Sequence, residues 1–302
     1  MPLTLLGSVT FVFRGERRFF RERGAKKLGA QQSCVSRCRV TTYTDHMPNP
    51  EEIAQLIDAV KQAGSFLMTQ WPGGAQSVGG LRVQEKPDGT LVTQADMESN
   101  RILEEALRRL FPNDAILSEE SEPDLKRMLQ SKRTWIIDPL DGTKSFVAGR
   151  DDFSVLVALV EDGLPTTGIM FFPARQQLIT SYPERAPECN GTPLSVSKRG
   201  TLENGRVYIR NFECRRPEVA SPMMDSGLAL LKVACGELDG AIIKMTTHRQ
   251  WDIAAPSAVL LAAGGSVSDE TGAQISFKAG PLGFKYYIAS NGKIHQLLQH
   301  LI

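Results

Sequence analysis

Thr134-Trp135-Ile136-Ile137-Asp138-Pro139-Leu140-Asp141-Gly142-Thr143-Lys144-Ser145-Phe146 is an apolar run that stops abruptly at two aspartates separated by Pro139 and Leu140. The apolar residues predict a buried strand, and carboxylates at its end are a poor way to extend a core. Pro139 fixes the backbone between the acids and Gly142 permits a sharp turn, so both carboxylates can converge on one point just beyond the strand. Taken alone, Pro-Leu-Asp-Gly is equally a β-turn with solvated aspartates. The next residues favour a site. Thr143 to Phe146 can open a helix, which puts the backbone N–H groups of Gly142 and Thr143 where a phosphate is commonly cradled. Acids on one side and anion-binding amides on the other are compatible only with a cation between them.

Upstream, Ala115-Ile116-Leu117 is a second short strand leading to Glu119 and Glu120. Successive strand residues alternate in direction, so one glutamate faces the acidic corner only if the other does not, and both also read as ordinary surface charges. Asp252 follows Trp251 and opens an apolar helix through Val259, Leu260 and Leu261, a position that equally suits a helix N-cap. Thr93-Gln94-Ala95-Asp96 has capping-box spacing, and a functional role for Asp96 needs a partner hydroxyl, for which Thr143 is the candidate. Four carboxylates around a dianionic phosphate would repel one another and the substrate, so the arrangement requires divalent cations. Ligands that are all oxygen point to Mg²⁺ rather than zinc.

The rest of the chain sets the frame. With 302 residues and 41 % hydrophobic content it can bury a sizeable core, as one large domain or two modest ones. No apolar run approaches the roughly 18 residues of a membrane span. Five scattered cysteines without paired spacing favour reduced thiols in a cytosol-like compartment. Residues 1–46 carry nine Lys/Arg against three Asp/Glu, while the remainder carries 26 against 31. This basic extension reads as disordered or non-native sequence, as an organellar targeting segment, or as an arm touching nucleic acid, the last disfavoured by the lack of regular aromatic interleaving.

Asn49 as cap, Pro50, Glu51 and Glu52 before Ile53, Leu56, Ile57, Val60 and Leu67 predict a helix over 50–70. The breaker-rich stretch from Trp71 to Gly89, containing Lys86, reads as a mobile loop or loose hairpin. A helix is expected over 94–110, a hairpin over Phe153–Phe172, a strand from Gln177 to Tyr182 and polar loop over 183–202. Strands near 207–210, 240–245, 266 and 287 and helices over 227–236, 252–263 and 293–301 complete the expectation. Strands first and alternating elements later suggest stacked α/β layers, with an N-terminal α+β half over 47–185 carrying most of the acids and a C-terminal α/β half over 186–302 supplying Asp252. None of His46, His248, His295 and His300 has metal-ligand spacing; they read as structural or exposed, with a place at the substrate rim the alternative for His248.

Together, Asp138-Pro-Leu-Asp-Gly-Thr143, Ser118-Glu-Glu120, Val92-Thr-Gln-Ala-Asp96 and Trp251-Asp-Ile-Ala-Ala255 resemble the signature segments of the inositol monophosphatase superfamily, in that family's order, over roughly Glu51 to Ile302. The resemblance implies a layered αβαβα sandwich and a Mg²⁺-dependent, lithium-sensitive phosphomonoesterase using two or three ions, and the cysteine pattern makes a cytoplasmic location the expectation. By position, Glu119, Asp138 and the Leu140 carbonyl would hold one ion, and Asp138, Asp141 and Asp252 a second. Glu119, or Thr143 with Asp96, would direct a water at the phosphorus, with Gly142 and Thr143 binding the phosphate. Lys86 and Glu120 are candidates near a third ion. Relatives are often homodimers. The implied substrate is a small phosphorylated metabolite, a nucleotide or polyol phosphate. Lys144 and the Phe153–Phe172 hairpin resemble the 3′(2′),5′-bisphosphate nucleotidase branch. Inositol-1-monophosphatase and histidinol-phosphate phosphatase stay open, because Gly-Thr-Lys-Ser-Phe also suits the latter and Asp225-Ser-Gly-Leu-Ala229 departs from the Gly-Ser-Ser-Leu-Lys expected of nucleotide-acting members. A non-catalytic protein that binds metal or phosphate is the alternative of another class.

Overall fold

The computed structural model describes residues 47–74, 83–85, 91–214, 216, 219–246, 248–278 and 282–302. The basic extension over 1–46, His46 and Lys86 lie outside them. The first helix, α1 (Pro50–Gln70), starts on a complete capping box: Asn49 Oδ1 accepts from the N–H groups of Glu51 and Glu52 at 2.9 Å, and the Glu52 carboxylate accepts from Asn49 N–H at 2.8 Å. Two short strands, β1 (Val83–Glu85) and β2 (Leu91–Thr93), pair antiparallel and lead into α2 (Gln94–Leu110). Strand β3 (Ala115–Ser118) then runs parallel to β4 (Arg133–Asp141), and the crossover a parallel pair requires is made by α3 (Leu125–Gln130). That helix was not anticipated. It buries only Met128 and starts on Asp124, whose carboxylate accepts from Arg127 N–H at 2.9 Å, so it carries no apolar stripe to reveal it.

After the five-residue α4 (Thr143–Val147) come the antiparallel strands β5 (Ser154–Glu161), β6 (Leu164–Phe172) and β7 (Gln177–Ser181). Two short strands, β8 (Glu188–Cys189) and β9 (Thr192–Pro193), extend this sheet to seven in sequential order, within the stretch expected to be loop. The second sheet has four strands in the order β10 (Val207–Arg210), β11 (Gly240–Lys244), β13 (Tyr286–Ser290) and β12 (Ser266–Ser268). Helices α5 (Ser226–Ala234), α6 (Gln250–Ala262) and α7 (His295–Gln299) accompany it. The last is shorter than expected at both ends: Asn291 Oδ1 engages the Lys293 and Ile294 N–H groups in a turn before the helix starts.

Side-chain alternation assembles these pieces into layers. In β4, Trp135 and Ile137 join the cluster formed with α1 and α2, while Ile136 faces the cluster built from α5 and α6. In the second sheet, Ala241 and Ile243 face α5 and α6, whereas Ile242 and Ile288 meet Ile294, Leu298 and Leu301. The result is the αβαβα order of a mixed α/β sandwich, with α5 and α6 between two sheets. Gly168 allows the close approach of α6 to β6, since a Cβ there would lie 2.6 Å from the Ala255 carbonyl oxygen.

Trp135 anchors the outer layer. It is fully buried, stacks on Phe111 with ring centroids 4.7 Å apart, and donates its indole N–H to Asp114 Oδ2 at 2.9 Å. Trp135→Ala is expected to destabilise the protein by about 3–5 kcal/mol through lost burial and a residual cavity. Urea unfolding checks this, and a loss below about 1 kcal/mol would remove the ring from the structural core.

Candidate metal and phosphate site

The strand containing Asp138 does not stop at the first aspartate; β4 continues through Asp141. Its pairing with β5 matches Asp138 to Leu156 but Asp141 to Ser154, so one extra residue is accommodated as a β-bulge. In a regular strand, acids three apart would point to opposite faces. The bulge restores them to one face, the side of α6, because their partners Leu156 and Ser154 are two apart. Leu140 N–H donates to Asp138 Oδ1 at 3.0 Å, and Ser154 Oγ donates to Asp141 Oδ2 at 3.3 Å. Gly142 then adopts φ +82°, and its carbonyl accepts from Phe146 N–H at 3.0 Å to open α4.

Asp252 comes from the facing helix. Sequence reading puts it at the helix start; α6 begins earlier, at Gln250, so Asp252 lies inside the first turn and its carboxylate accepts from the Arg249 backbone N–H. One oxygen each from Asp138, Asp141 and Asp252 lie within 4.8 Å of one another. Asp138 Oδ2 is buried and has no hydrogen-bond partner. Such an orphan is costly without a ligand, and a cation supplies what the protein does not. A donor set made only of carboxylate oxygens, with the Leu140 carbonyl nearby, fits Mg²⁺.

Electrostatics describe the same corner. Burial pushes the Asp138 carboxyl well above the usual carboxylate range, reinforced by the charges of Glu119, Asp141 and Asp252. Asp141 is raised likewise by burial and by Asp225 and Asp252. Burial, with Glu119 and Asp225, lifts Asp252 to about 7 despite the Arg249 N–H. Glu119, whose N–H donates to the Ile137 carbonyl at 3.3 Å, therefore faces the corner electrostatically but is not one of the three grouped carboxylates. Glu120 is likewise outside that group, with its N–H on Ser118 Oγ at 3.2 Å.

Asp96 combines its two readings. Its Oδ2 accepts from Thr93 N–H at 2.7 Å and Thr93 Oγ1 at 2.6 Å, closing the capping box of α2. Its Oδ1 faces Thr143 Oγ1 at 3.4 Å, and the same hydroxyl lies 3.2 Å from the Leu140 carbonyl oxygen. Burial raises Asp96 to about 6.

One acid of the corner was missed. Asp225, 8 % exposed, caps α5 by accepting from Gly227 N–H at 2.9 Å, and its carboxylate lies close enough to Asp141 to raise the pKa of that carboxyl. Its own N–H donates to Asp152 Oδ2 at 3.0 Å, and the charge of Arg210 opposes the burial that raises it. The Asp225-Ser226-Gly227 pattern before an apolar run signals a helix cap, but nothing local says that the carboxylate meets Asp141. Gly227 permits that approach, because a Cβ there would collide with Asp141 Oδ2.

Among the histidines, His295 is structural, with Ser290 Oγ and Ser268 Oγ each 2.8 Å from its ring nitrogens. His248 is buried, with Nε2 3.2 Å from Ser226 Oγ.

Comparison with known proteins agrees with this architecture. The inositol monophosphatase family profile matches residues 49–301. The chain is 31 % identical over 262 residues to an inositol-1-monophosphatase of Synechocystis, covering 81 % of this chain and 86 % of that protein. It is 27 % identical over 235 residues to the 3′(2′),5′-bisphosphate nucleotidase CysQ of Escherichia coli K12, covering 74 % and 92 %. The solved structure of a Thermotoga maritima IMPase superposes with a TM-score of 0.70 at 27 % identity, covering 83 % of this chain and 96 % of that one. A layered sandwich with an acidic corner between sheet and helix thus defines a phosphatase of the Mg²⁺-dependent type. The chain belongs to the inositol monophosphatase family. No helix among the described residues is long and apolar enough to cross a membrane.

Proposed function

We propose that the chain hydrolyses a 3′(2′),5′-bisphosphorylated nucleoside, such as 3′-phosphoadenosine 5′-phosphate, by direct attack of water on the phosphorus. The observation that carries the reaction is the converging Asp138, Asp141 and Asp252 group with a buried, partnerless oxygen on Asp138. In this reading Glu119, Asp138 and the Leu140 carbonyl would hold one Mg²⁺, Asp138, Asp141 and Asp252 would hold a second, and Glu119 would serve a third. When bound there, Mg²⁺ would supply Lewis-acid charge to the phosphate, to the attacking water and to the departing oxygen. The chain does the rest. Backbone N–H groups of Gly142 and Thr143 orient the phosphate. Thr143 Oγ1, between Asp96 and the Leu140 carbonyl, aims the water, and Glu119 or the Thr143–Asp96 pair takes its proton. The new P–O bond forms as the ester P–O bond breaks, and the alkoxide leaves with a proton, without a covalent phosphoenzyme.

Inositol 1-phosphate is the second reading, favoured by the 31 % identity to the Synechocystis enzyme. A panel of 3′-phosphoadenosine 5′-phosphate, inositol 1-phosphate, histidinol phosphate and fructose 1,6-bisphosphate, run with Mg²⁺, with added Li⁺ and with EDTA, tests both. Turnover is expected to need Mg²⁺, to fall with Li⁺, and to favour the nucleotide by about tenfold or more in kcat/KM. A preference for inositol 1-phosphate would replace the substrate, and lack of Mg²⁺-dependent turnover on every ester would refute the reaction.

A further inference from the structure

A cavity of about 410 Å³ is walled by Trp251, Phe284, Met245, Met128, Leu117 and His248, residues that neighbour the acidic corner along the chain but are not members of it. That volume falls within the roughly 300–1,000 Å³ typical of small-molecule sites. It shares backbone with the corner. Arg249 also lines it while its N–H holds Asp252, Trp251 directly precedes Asp252, and β3 runs from Leu117 towards Glu119.

We propose that this cavity receives the leaving group of the substrate and is shaped for a nucleobase. The proposal rests on the reading of the chain as a nucleotide phosphatase and assigns the part of the molecule that selects the nucleotide. An indole and a phenyl ring offer faces on which a flat heterocycle stacks. A polyol carries a hydroxyl on each carbon and would strand them against these walls. His248, with Arg249 and Gln250 beside it in the wall, supplies a polar feature that a base edge can use. It is 8 % exposed, its Nε2 is engaged by Ser226 Oγ, and its Nδ1 is buried without a partner. Burial, with the charges of Arg210 and Arg249, brings its pKa down to about 4, so the ring is neutral at pH 7 and offers a single donor or acceptor. Arg249 places positive charge in the cavity wall, where a nucleotide's second phosphate benefits and an uncharged polyol does not.

Calorimetry on the Mg²⁺-loaded protein with adenosine 5′-monophosphate, and separately with inorganic phosphate, provides the test. Met245→Trp, which fills the cavity, and Phe284→Ala, which removes a stacking face, are compared with wild type. Adenosine 5′-monophosphate is expected to bind about tenfold or more tighter than inorganic phosphate, and both variants are expected to lose most of that margin. In parallel, kcat/KM for 3′-phosphoadenosine 5′-phosphate relative to 2-glycerophosphate is expected to fall about tenfold in Met245→Trp, with glycerophosphate turnover reporting a folded, metal-loaded variant. Should Met245→Trp misfold, the Phe284→Ala margin decides. Equal affinity of wild type for the nucleotide and inorganic phosphate overturns the cavity assignment while leaving the phosphatase reaction intact, as does a nucleotide preference untouched by both substitutions. Absence of turnover on every ester strikes the proposed reaction instead, and the nucleotide margin then still judges the cavity.

Discussion

Asp138→Asn is expected to lower kcat/KM at least about a hundredfold on any accepted phosphate ester, the usual scale for deleting a charge-stabilising group at the reacting centre. Asp138 is the carboxylate proposed to touch both ions, and it is held at the bulge in β4 with one oxygen on Leu140 N–H and the other buried without a partner. The substitution keeps the shape and removes the charge, so it separates a metal role from a structural one through a second readout. Wild-type protein should gain thermal stability with Mg²⁺, by about 2.7 kcal/mol when the ion is at a hundred times its Kd. The asparagine variant should lose most of that gain. Without metal it should be at least as stable as wild type, since burial and the charges of Glu119, Asp141 and Asp252 all disfavour a carboxylate at this position. Full turnover in the variant, or an undiminished Mg²⁺ shift, would remove Asp138 from the metal centre.

The sequence reveals these acids unevenly, and the unevenness has a physical origin. Helices α1 and α2 are legible because their caps and apolar faces are local: Asn49 with Glu52, and Thr93 with Asp96, lie within one turn. The Asp138–Asp141 corner is legible as a chemical type but not as a geometry. Its carboxylates share a face only because β4 carries one more residue than β5 between matched pairs, and a register shift belongs to two strands at once. Asp225 was invisible for the same reason. Its capping bond to Gly227 is local, while its approach to Asp141 depends on α5 packing against the sheet. Asp252 shows the converse: a residue that looks like an N-cap lies within the first turn, and its capping contact to Arg249 leaves the carboxylate at the corner. Capping and ligation draw on the same feature, a carboxylate at a helix start, so local pattern cannot tell them apart.

Thr143→Ala tests the water rather than the metal, and it is expected to reduce kcat by about a hundredfold, the lower range for general acid–base assistance, with KM changed much less. Thr143 Oγ1 has two acceptors within reach, Asp96 Oδ1 at 3.4 Å and the Leu140 carbonyl at 3.2 Å, so its lone pairs remain available to a water approaching the phosphorus. The residue contributes its backbone N–H to the proposed phosphate cradle, and alanine keeps that group. Asp96 would retain Thr93 N–H and Thr93 Oγ1, so the cap of α2 and the stability of the fold should survive. Metal affinity should survive too, because none of the three grouped carboxylates is altered. The expected signature is thus a variant that binds Mg²⁺ and phosphate like wild type and turns over slowly, the reverse of the Asp138 variant. Thr143→Ser, which restores the hydroxyl, should recover most of the rate. Equal loss in the alanine and serine variants would mean that the methyl packing of Thr143, and not its hydroxyl, supports catalysis, and Glu119 would then be left as the group that receives the proton.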